Sequence, residues 1–578
     1  MRLEQELESW ARAAMREALG SDAPAILRPT TDPKLGDYQI NGVMPLAKQQ
    51  KRPPRELAEL VANVLKQRPE LSSVDVAGPG FINIKLTPAW VGARIADAAI
   101  DTTRDGVPMV EKPERIVVDF SGPNIAKQMH VGHLRSTILG DALVKLLRFA
   151  GHHVIGDNHL GDWGTQFGLL IVGMRTFASD ASIDALDIAA LENIYKLASA
   201  KAKEDPSFAQ QARDELAKLQ AGDSANRAIW QRFVSITRTE IDKIYARVQI
   251  TFDEWLGESA YQDMLAGVVD DLLQKGIARE DQGAICVFFE DNAELSKGET
   301  PFIVRKQDGA FLYSTTDIAT VLYRRDQFQA DRALYVVDKR QALHFKQLFA
   351  VMGKLGVTMR LEHIGFGAVL GKDGKPLKTR DGKNVTLAAL LDEAQERAAA
   401  RMSEEGLELT AEQVAELSPL VGIGAVKYAD LMQNRNTDYQ FDWDKMISFK
   451  GNAGPYLQYA HARIQAILRK GAIDIATLGS QLDLTRALTL TDDAEIALAK
   501  HLLRFADVVH QAAETTQPHL VCEHLYGLAR TLSVFYEQCP VLKAEGESRR
   551  TRIALVWMTA RQLRRGLGLL GIAAPSRM

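Results

Sequence analysis

Between residues 121 and 136 the chain reads Ser-Gly-Pro-Asn-Ile-Ala-Lys-Gln-Met-His-Val-Gly-His-Leu-Arg-Ser. A lysine, an asparagine and two histidines three residues apart, His130 and His133, lie between a strand-like run at 115–120 and a helix-like run at 134–150. A helix that follows a parallel strand exposes unpaired backbone N–H groups and the positive end of its dipole, which suits phosphate. Gly132, between the histidines, lets a ligand approach the backbone closely. Imidazoles placed there can donate hydrogen bonds to phosphate oxygens as negative charge moves during a transfer. One preorganised donor of this kind is worth roughly 2.7–4 kcal/mol of barrier. The segment has no carboxylate or third histidine at metal-ligand spacing. A bare HxxH also fits a pair of surface or capping histidines, and the loop context favours the phosphate reading.

Other groups could bind what is transferred. Asp119 ends the first strand, where ligands of parallel sheets collect. Tyr313 and Asp317 are i and i+4 at a strand-to-helix turn, and share a face if helical geometry extends back to Tyr313. In the run 81–86, Phe81, Asn83 and Lys85 occupy the face opposite Ile82, Ile84 and Leu86, offering an aromatic, an amide and a cation to an unpaired base.

These groups need a large scaffold. At 578 residues the chain is too long for one core, and 46% hydrophobic with 25% charged residues is ordinary for a soluble globular protein. From residue 451 onward there are 15 Lys and Arg against 11 Asp and Glu, so the tail is basic and the remainder acidic. An excess this small decides nothing about an anionic partner. Cys286, Cys522 and Cys539 lie far apart, which speaks against a disulfide framework or zinc knuckle and for a reducing compartment. Leu3, Leu7, Trp10, Ala14 and Ala18 form the stripe of an amphipathic helix. The acids at 4, 6 and 8 and the missing apolar core argue against a secretory signal. With no apolar run near the roughly 18 residues a membrane span needs, the expectation is a cytoplasmic protein without membrane contact.

The pattern predicts a multidomain α/β protein. Residues 1–112 form an α/β unit, closed by a proline- and charge-rich link at 108–113. Residues 113–180 give the first half of a Rossmann-type parallel sheet, with strands at 115–120 and 153–157. An inserted, polar helical module occupies 181–300. The second half, 301–385, opens with a strand-like 309–313, a helix from about Thr316, a strand at 333–337 and a helix at 340–355. A connecting helical segment fills 386–450. Residues 451–578 are all helix, with runs near 457–470, 495–515, 519–537 and 548–569.

The His-Val-Gly-His at 130–133 resembles the HIGH signature of class I aminoacyl-tRNA synthetases. The longer string 121–127 resembles that of arginyl-tRNA synthetases in particular, as do the strings at 156–168, 252–259, 313–317, 335–341 and 451–459. HxGH alone is shared with small nucleotidyltransferases, whereas the ordered set is specific. It runs from near residue 80 to the C-terminus.

The resemblance implies activation of L-arginine by ATP, release of pyrophosphate aided by Mg2+, and transfer of arginine to the 3'-terminal adenosine of tRNA(Arg). It implies ATP contacts along the loop from Pro123, Asn124, Ile125, Ala126, Lys127, Gln128 and Met129 to His130, Val131, Gly132 and His133. Catalytic roles fall to Lys127, His130 and His133, together with Lys375 and Lys378. The two lysines lie in a segment, 371–382, that resembles the family's KMSKS loop but keeps only K-x-x-K-[S/T]. Arginine side-chain contacts are implied for Asp119, Tyr313 and Asp317, because a planar guanidinium suits carboxylates. Contacts to its α-amino or carboxylate group are implied for Asn124, His130 and Gln341, with Ser121 nearby. The N-terminal unit is expected to read the tRNA D-loop through Phe81 and Asn83. The C-terminal bundle is expected to bind the anticodon, with Tyr456, Gln458 and Tyr459 at its entry. Some of Arg549, Arg550, Arg552, Arg561, Arg564 and Arg565 are expected to hold phosphates. No protein-built metal site and no obligatory protein partner are expected, and the chain is read as a monomer. A relative of the same class specific for glutamate would want a basic side-chain pocket in place of Asp119 and Asp317.

Overall fold

The structure, a computed structural model, describes residues 2–30, 32–178, 186–290, 292, 294–296, 301–375, 377, 385–473, 478, 479 and 482–578. Its N-terminal strands β1 (Leu27–Pro29), β2 (Tyr38–Ile40), β3 (Leu71–Ala77) and β4 (Phe81–Leu86) form an antiparallel sheet in the order β1-β2-β4-β3. Helix Leu3–Leu19 buries Leu3, Leu7, Trp10, Ala14 and Met15 along one stripe and stops at Gly20, which takes the left-handed conformation (φ 64°).

The central sheet is parallel throughout. Strands β5 (Arg115–Asp119) and β6 (His153–Asp157) come from the first half of the nucleotide-type unit. Between them and the second half lie helices Ile188–Glu204, Pro206–Gln220 and Ser224–Val248, followed by β7 (Ala278–Asp281), β8 (Ala284–Val287) and β9 (Phe302–Arg305). Then come β10 (Arg332–Tyr335) and β11 (Arg360–His363), and the sheet order is β11-β10-β5-β6. Strand β10 therefore pairs directly with β5, although the insertion separates them in sequence. Short strands β12 (Val369–Leu370) and β13 (Tyr439–Gln440) pair in parallel beside it.

Three details depart from expectation. The insertion is not helical throughout: β7 and β8 form a hairpin whose two turn residues, Gln282 and Gly283, both have positive φ (49° and 80°). Three of the four β7 side chains are exposed, so no apolar alternation announced the strand. Residues 309–313 supply only an isolated bridge, Arg305 to Phe311, and β9 is the strand instead. The following helix starts earlier than expected, at Tyr313, because the Ser314 and Thr315 hydroxyls donate to the Ile303 and Val304 carbonyls of β9.

The C-terminal helices are Gly454–Lys470, Asp493–Leu503, Phe505–Glu514, His519–Gln538 and Gly546–Leu569. The expected single run at 495–515 breaks at Arg504, whose N–H reaches back three residues to the His501 carbonyl. This bundle packs on the N-terminal unit. Leu488 N–H donates to the Gly92 carbonyl, and any Cβ at Gly92 would collide with Leu488 O. Lys500 pairs with Asp37 at 2.7 Å, and both Asp507 oxygens accept from Glu4 N–H at 3.2 Å.

Burial, reinforced by neighbouring Glu4, pushes the Asp507 carboxyl up to about 7, against the opposing pull of the Glu4 N–H, Arg2 and Arg504. A folded-state pKa raised above the unfolded value contributes stability at low pH that is lost as pH rises toward 7. A rise to about 7 corresponds to at most about 4 kcal/mol. Asp507→Asn should therefore stabilise the protein against urea at pH 8, with the gain shrinking as pH falls from about 7 toward 4. Urea midpoints at pH 8, 6 and 4.5 check this, and a variant less stable than the parent at pH 8 contradicts it.

Candidate active site

The loop from β5 to helix Val131–Ala150 is held by its neighbours on every side. Ser121, Gly122 and Ala126 all take positive φ (74°, 54° and 60°), which bends the chain sharply. Gly122 N–H donates to Asn158 Oδ1 at 3.1 Å and Ile125 N–H to the Gly161 carbonyl at 3.1 Å. A Cβ at Gly161 would strike Asn124 Oδ1, so the close approach requires glycine. The insertion grips the same loop. Thr237 Oγ1 accepts from Ala126 N–H at 3.0 Å, Glu192 Oε2 accepts from Gln128 N–H at 3.3 Å, and Lys127 Nζ lies 5.6 Å from the Tyr195 ring centre. Pro123, Ile125, Ala126, Met129 and Val131 are buried, while Asn124, Lys127 and Gly132 are exposed.

The two histidines cap the helix reciprocally. His130 Nδ1 accepts from Gly132 N–H at 2.9 Å, and His133 Nδ1 accepts from His130 N–H at 3.1 Å. Burial is the largest influence on both and favours the neutral rings. It takes His133 down to about 4, helped by His130, and also lowers His130. With Nδ1 an acceptor in each neutral ring, the proton resides on Nε2. The loop thus holds two Nε2–H donors side by side, with ring centres 4.2 Å apart.

The chain returns from the KMSKS-like segment to this same loop. It departs through a turn in which Gly371 N–H donates to the Lys375 carbonyl (2.7 Å) and Gly374 has φ 73°. Lys375 is exposed, and Lys378 lies outside the described residues. The chain returns where Val131 N–H donates to the Val385 carbonyl (3.1 Å) and Leu387 N–H to the Met129 carbonyl (2.9 Å). The returning end is therefore fixed beside His130.

Opposite stands an acidic wall. Asp119 and Asp157, ending β5 and β6, each accept a 2.7 Å bond from Arg324, whose side chain is 0% exposed. Asp119 remains 14% exposed. Tyr313, 61% exposed, and Asp317 lie one turn apart on the helix bearing Arg324. Asp317 Oδ2 is 2.6 Å from His344 Nε2. Glu258 is driven up to about 7 by burial, with Asp162 and Asp317 adding repulsion and His159 opposing. Gln341 ends the 3-10 turn Lys339–Gln341 and is exposed. Arg324, Asp157, His344 and Glu258 were not singled out from the sequence. Asp157 and Glu258 lay within strings that carry the resemblance, but Arg324 and His344 declare themselves only through contacts between distant segments.

Several expected contact residues are engaged elsewhere. Ser121 is buried, its hydroxyl bonded to Thr137 Oγ1 (2.8 Å) and Tyr245 OH (2.6 Å), so it fixes the loop from behind. Asn83 is 3% exposed: cross-strand Gln39 and Asp75 cover it, and its Oδ1 accepts from Gln39 Nε2 at 2.9 Å. The open strand face is thus reduced to half-buried Phe81 and exposed Lys85. Gln458 is 0% exposed and donates to the Leu420 and Ala573 carbonyls, so it presents nothing at the surface. Arg561 and Arg565 both pair with buried Asp105, Arg552 pairs with Glu495, Arg550 binds the Asp483 and Ala487 carbonyls, and Arg549 binds the Leu542 carbonyl. Arg564 is exposed. Tyr456 and Tyr459 line an apolar cavity of about 90 Å³ with Phe449, Tyr536 and Arg463, whose guanidinium lies 5.4 Å from the Tyr536 ring centre.

Known proteins resemble this chain along its whole length. Residues 97–443 match the family described as tRNA synthetases class I (R), catalytic domain. Residues 457–578 match the DALR anticodon binding domain, and residues 2–86 the arginyl tRNA synthetase N terminal domain. An arginine–tRNA ligase of Laribacter hongkongensis is 44% identical over 577 residues, 99% of each chain. That of Edwardsiella ictaluri is 46% identical over 560 residues, 96% of each. The crystal structure of the Plasmodium falciparum arginyl-tRNA synthetase superposes with a TM-score of 0.85 at 28% identity, covering 99% of both chains. The Thermus thermophilus arginyl-tRNA synthetase shares the fold, with a TM-score of 0.79 at 24% identity. With its catalytic, N-terminal and anticodon-binding regions all matched, the chain belongs to the arginyl-tRNA synthetase family of class I.

Proposed function

We propose how the residues of this chain divide the work of an arginine–tRNA ligase. The chain activates L-arginine with ATP and transfers it to tRNA(Arg). In the first step the arginine carboxylate attacks the α-phosphorus of ATP, and the bond from that phosphorus to the pyrophosphate oxygen breaks. The nucleophile is already an anion, so no general base is required. His130 and His133 donate Nε2–H to the α-phosphate oxygens as charge builds there. Lys127 and Lys375 face the outer phosphates, and Lys378 joins them from outside the described residues. Asp119, Tyr313 and Asp317 take the guanidinium, while Asn124, His130 and Gln341 orient the α-amino and carboxylate groups. The observation that carries this reading is the occupation of both Nδ1 atoms by backbone N–H groups, which leaves two neutral donors in fixed positions.

Mg2+ belongs with the nucleotide. Among the described residues no three His, Cys, Asp or Glu side chains are grouped so that they could hold a metal ion, and Mg2+ is commonly held by substrate phosphates and water. When bound it neutralises charge on the departing pyrophosphate.

Residues 1–112 read the D-loop through Phe81, with Asn83 beside it on the same strand face, and 451–578 bind the anticodon in the cleft of Tyr456, Tyr459, Arg463 and Tyr536. Residues 113–180 and 301–385 form the catalytic sheet, 181–300 the insertion and 386–450 the connection. We read the chain as a monomer. Three free, buried cysteines support a reducing, cytoplasmic setting.

Asp317→Asn should raise KM for arginine roughly ten- to a hundredfold, the worth of a hydrogen bond to a charged group, with KM for ATP nearly unchanged. Steady-state charging checks this, and an unaltered arginine KM removes Asp317 from the pocket. His133→Ala should depress kcat for adenylate formation about a hundredfold or more while tRNA affinity in a filter assay stays within twofold. Equal loss of tRNA binding would indicate a purely structural histidine. Phe81→Ala should weaken cognate tRNA binding by about 1–3 kcal/mol, the worth of one aromatic–base stack. The same substitution tested on a D-loop variant lacking the unpaired base should cost nothing further.

A further inference from the structure

His344 is the third residue of helix Ala342–Lys354, which follows the turn carrying Gln341. Its Nε2 lies 2.6 Å from Asp317 Oδ2. A carboxylate oxygen can only accept, so Nε2 carries the proton. The ring is gripped by aromatics from three elements. Phe302 of β9 lies nearly parallel to it (5.7 Å between centres, 24°), Tyr313 of the next helix is tilted against it (4.9 Å, 56°), and Phe345 meets it edge-on (5.5 Å, 71°). With a side chain only 14% exposed, the imidazole cannot turn away without breaking that packing.

We propose that His344 is a positioning residue of the arginine pocket, holding the Asp317 carboxylate by one oxygen so that the other meets the guanidinium. This rests on the reading of Asp317 given above. Its consequence concerns selectivity. An aspartate free to rotate could offer both oxygens to an ammonium or a guanidinium alike. Held by Oδ2, it offers one acceptor at a fixed place, and the remaining N–H groups of the ligand must find acceptors on other elements. A planar fork of five donors satisfies such separated acceptors; a compact ammonium does not. His344 also backs the ring of Tyr313, so the same side chain sets the slot from two sides.

The test is a double-mutant cycle with steady-state charging on the full chain. His344→Phe keeps an aromatic ring in the stack and removes the donor. His344→Gln keeps an N–H near the position of Nε2. His344→Phe should raise KM for arginine about tenfold, consistent with loss of a hydrogen bond to a charged group, while KM for ATP and tRNA stay within twofold. His344→Gln should recover most of the loss. In the Asp317→Asn background His344→Phe should add little, because a residue acting through Asp317 has nothing left to position. An unchanged arginine KM in His344→Phe, alongside a raised one in Asp317→Asn, overturns the inference and leaves the pocket reading intact. Fully additive effects, or equal rises in the KM values for arginine and ATP, also overturn it by making His344 general support. If Asp317→Asn itself leaves arginine KM unchanged, the pocket reading fails, and this inference fails with it.

Discussion

A guanidinium removed from water, that of Arg324, holds the two halves of the catalytic sheet in register. It rises from helix Tyr313–Asp326, in the second half, and bonds Asp119 and Asp157 at the ends of β5 and β6, in the first. Burying such ions is costly, and removing one partner from a buried network typically costs about 3–5 kcal/mol because the remaining charge is stranded. Here two carboxylates would be stranded together. The Tyr335 ring beside the guanidinium, with centres 5.2 Å apart, adds a cation–π contact. Everything on the acidic wall inherits its place from this node. The helix that carries Arg324 also carries Tyr313 and Asp317, so anchoring one fixes the distance of the others from Asp119.

The phosphate-facing loop depends on a different constraint, the need to satisfy backbone groups at a helix start. Histidine is an uncommon cap, and its use here has a chemical effect. Each ring accepts through Nδ1, so the cap and the donor are the same side chain seen from two sides. Burial keeps the rings neutral, which preserves Nδ1 as an acceptor. A protonated ring would lose the cap and loosen the loop. Structural and chemical demands on these two positions therefore coincide. The insertion shares in this through Thr237, Glu192 and Tyr195, tying a distant helical module to the loop.

Much of this could be read from the chain alone, for identifiable reasons. Strands at 81–86 and 153–157 and the helix ending at Ala150 match because local apolar pattern and bounding Gly or Pro residues agree there. The two histidines stood out because their types are unusual at a strand-to-helix turn. What the sequence did not show concerns polar side chains whose fate is set from far away. Ser121 is held by Tyr245, 124 residues on, and Gln458 by the carbonyl of Ala573, 115 residues on. Asn83 sits on the outward face that alternation predicts, yet two cross-strand neighbours close over it. Arg561 and Arg565 read as a basic helix face, whereas both fasten the C-terminal bundle to Asp105. Periodicity gives a side chain's direction along its own element and nothing about what waits there.

The balance of charge in the pocket follows from the same geometry. Asp119, Asp157, Asp317 and Glu258 converge on a region where Arg324 is the buried cation and His344 donates to Asp317. Carboxylates thus outnumber the cations that meet them. Glu258 bears the consequence, its carboxyl raised to about 7 by burial and by its acidic neighbours. A guanidinium entering this space supplies the missing positive charge, and by linkage it must pull the Glu258 pKa down and release a proton where that group was protonated. A neutral isostere of arginine would fill the same volume and leave the repulsion in place. On the proposed reading, selection for arginine is therefore written into the pocket as an excess of negative charge, and the substrate's permanent cation is what relieves it.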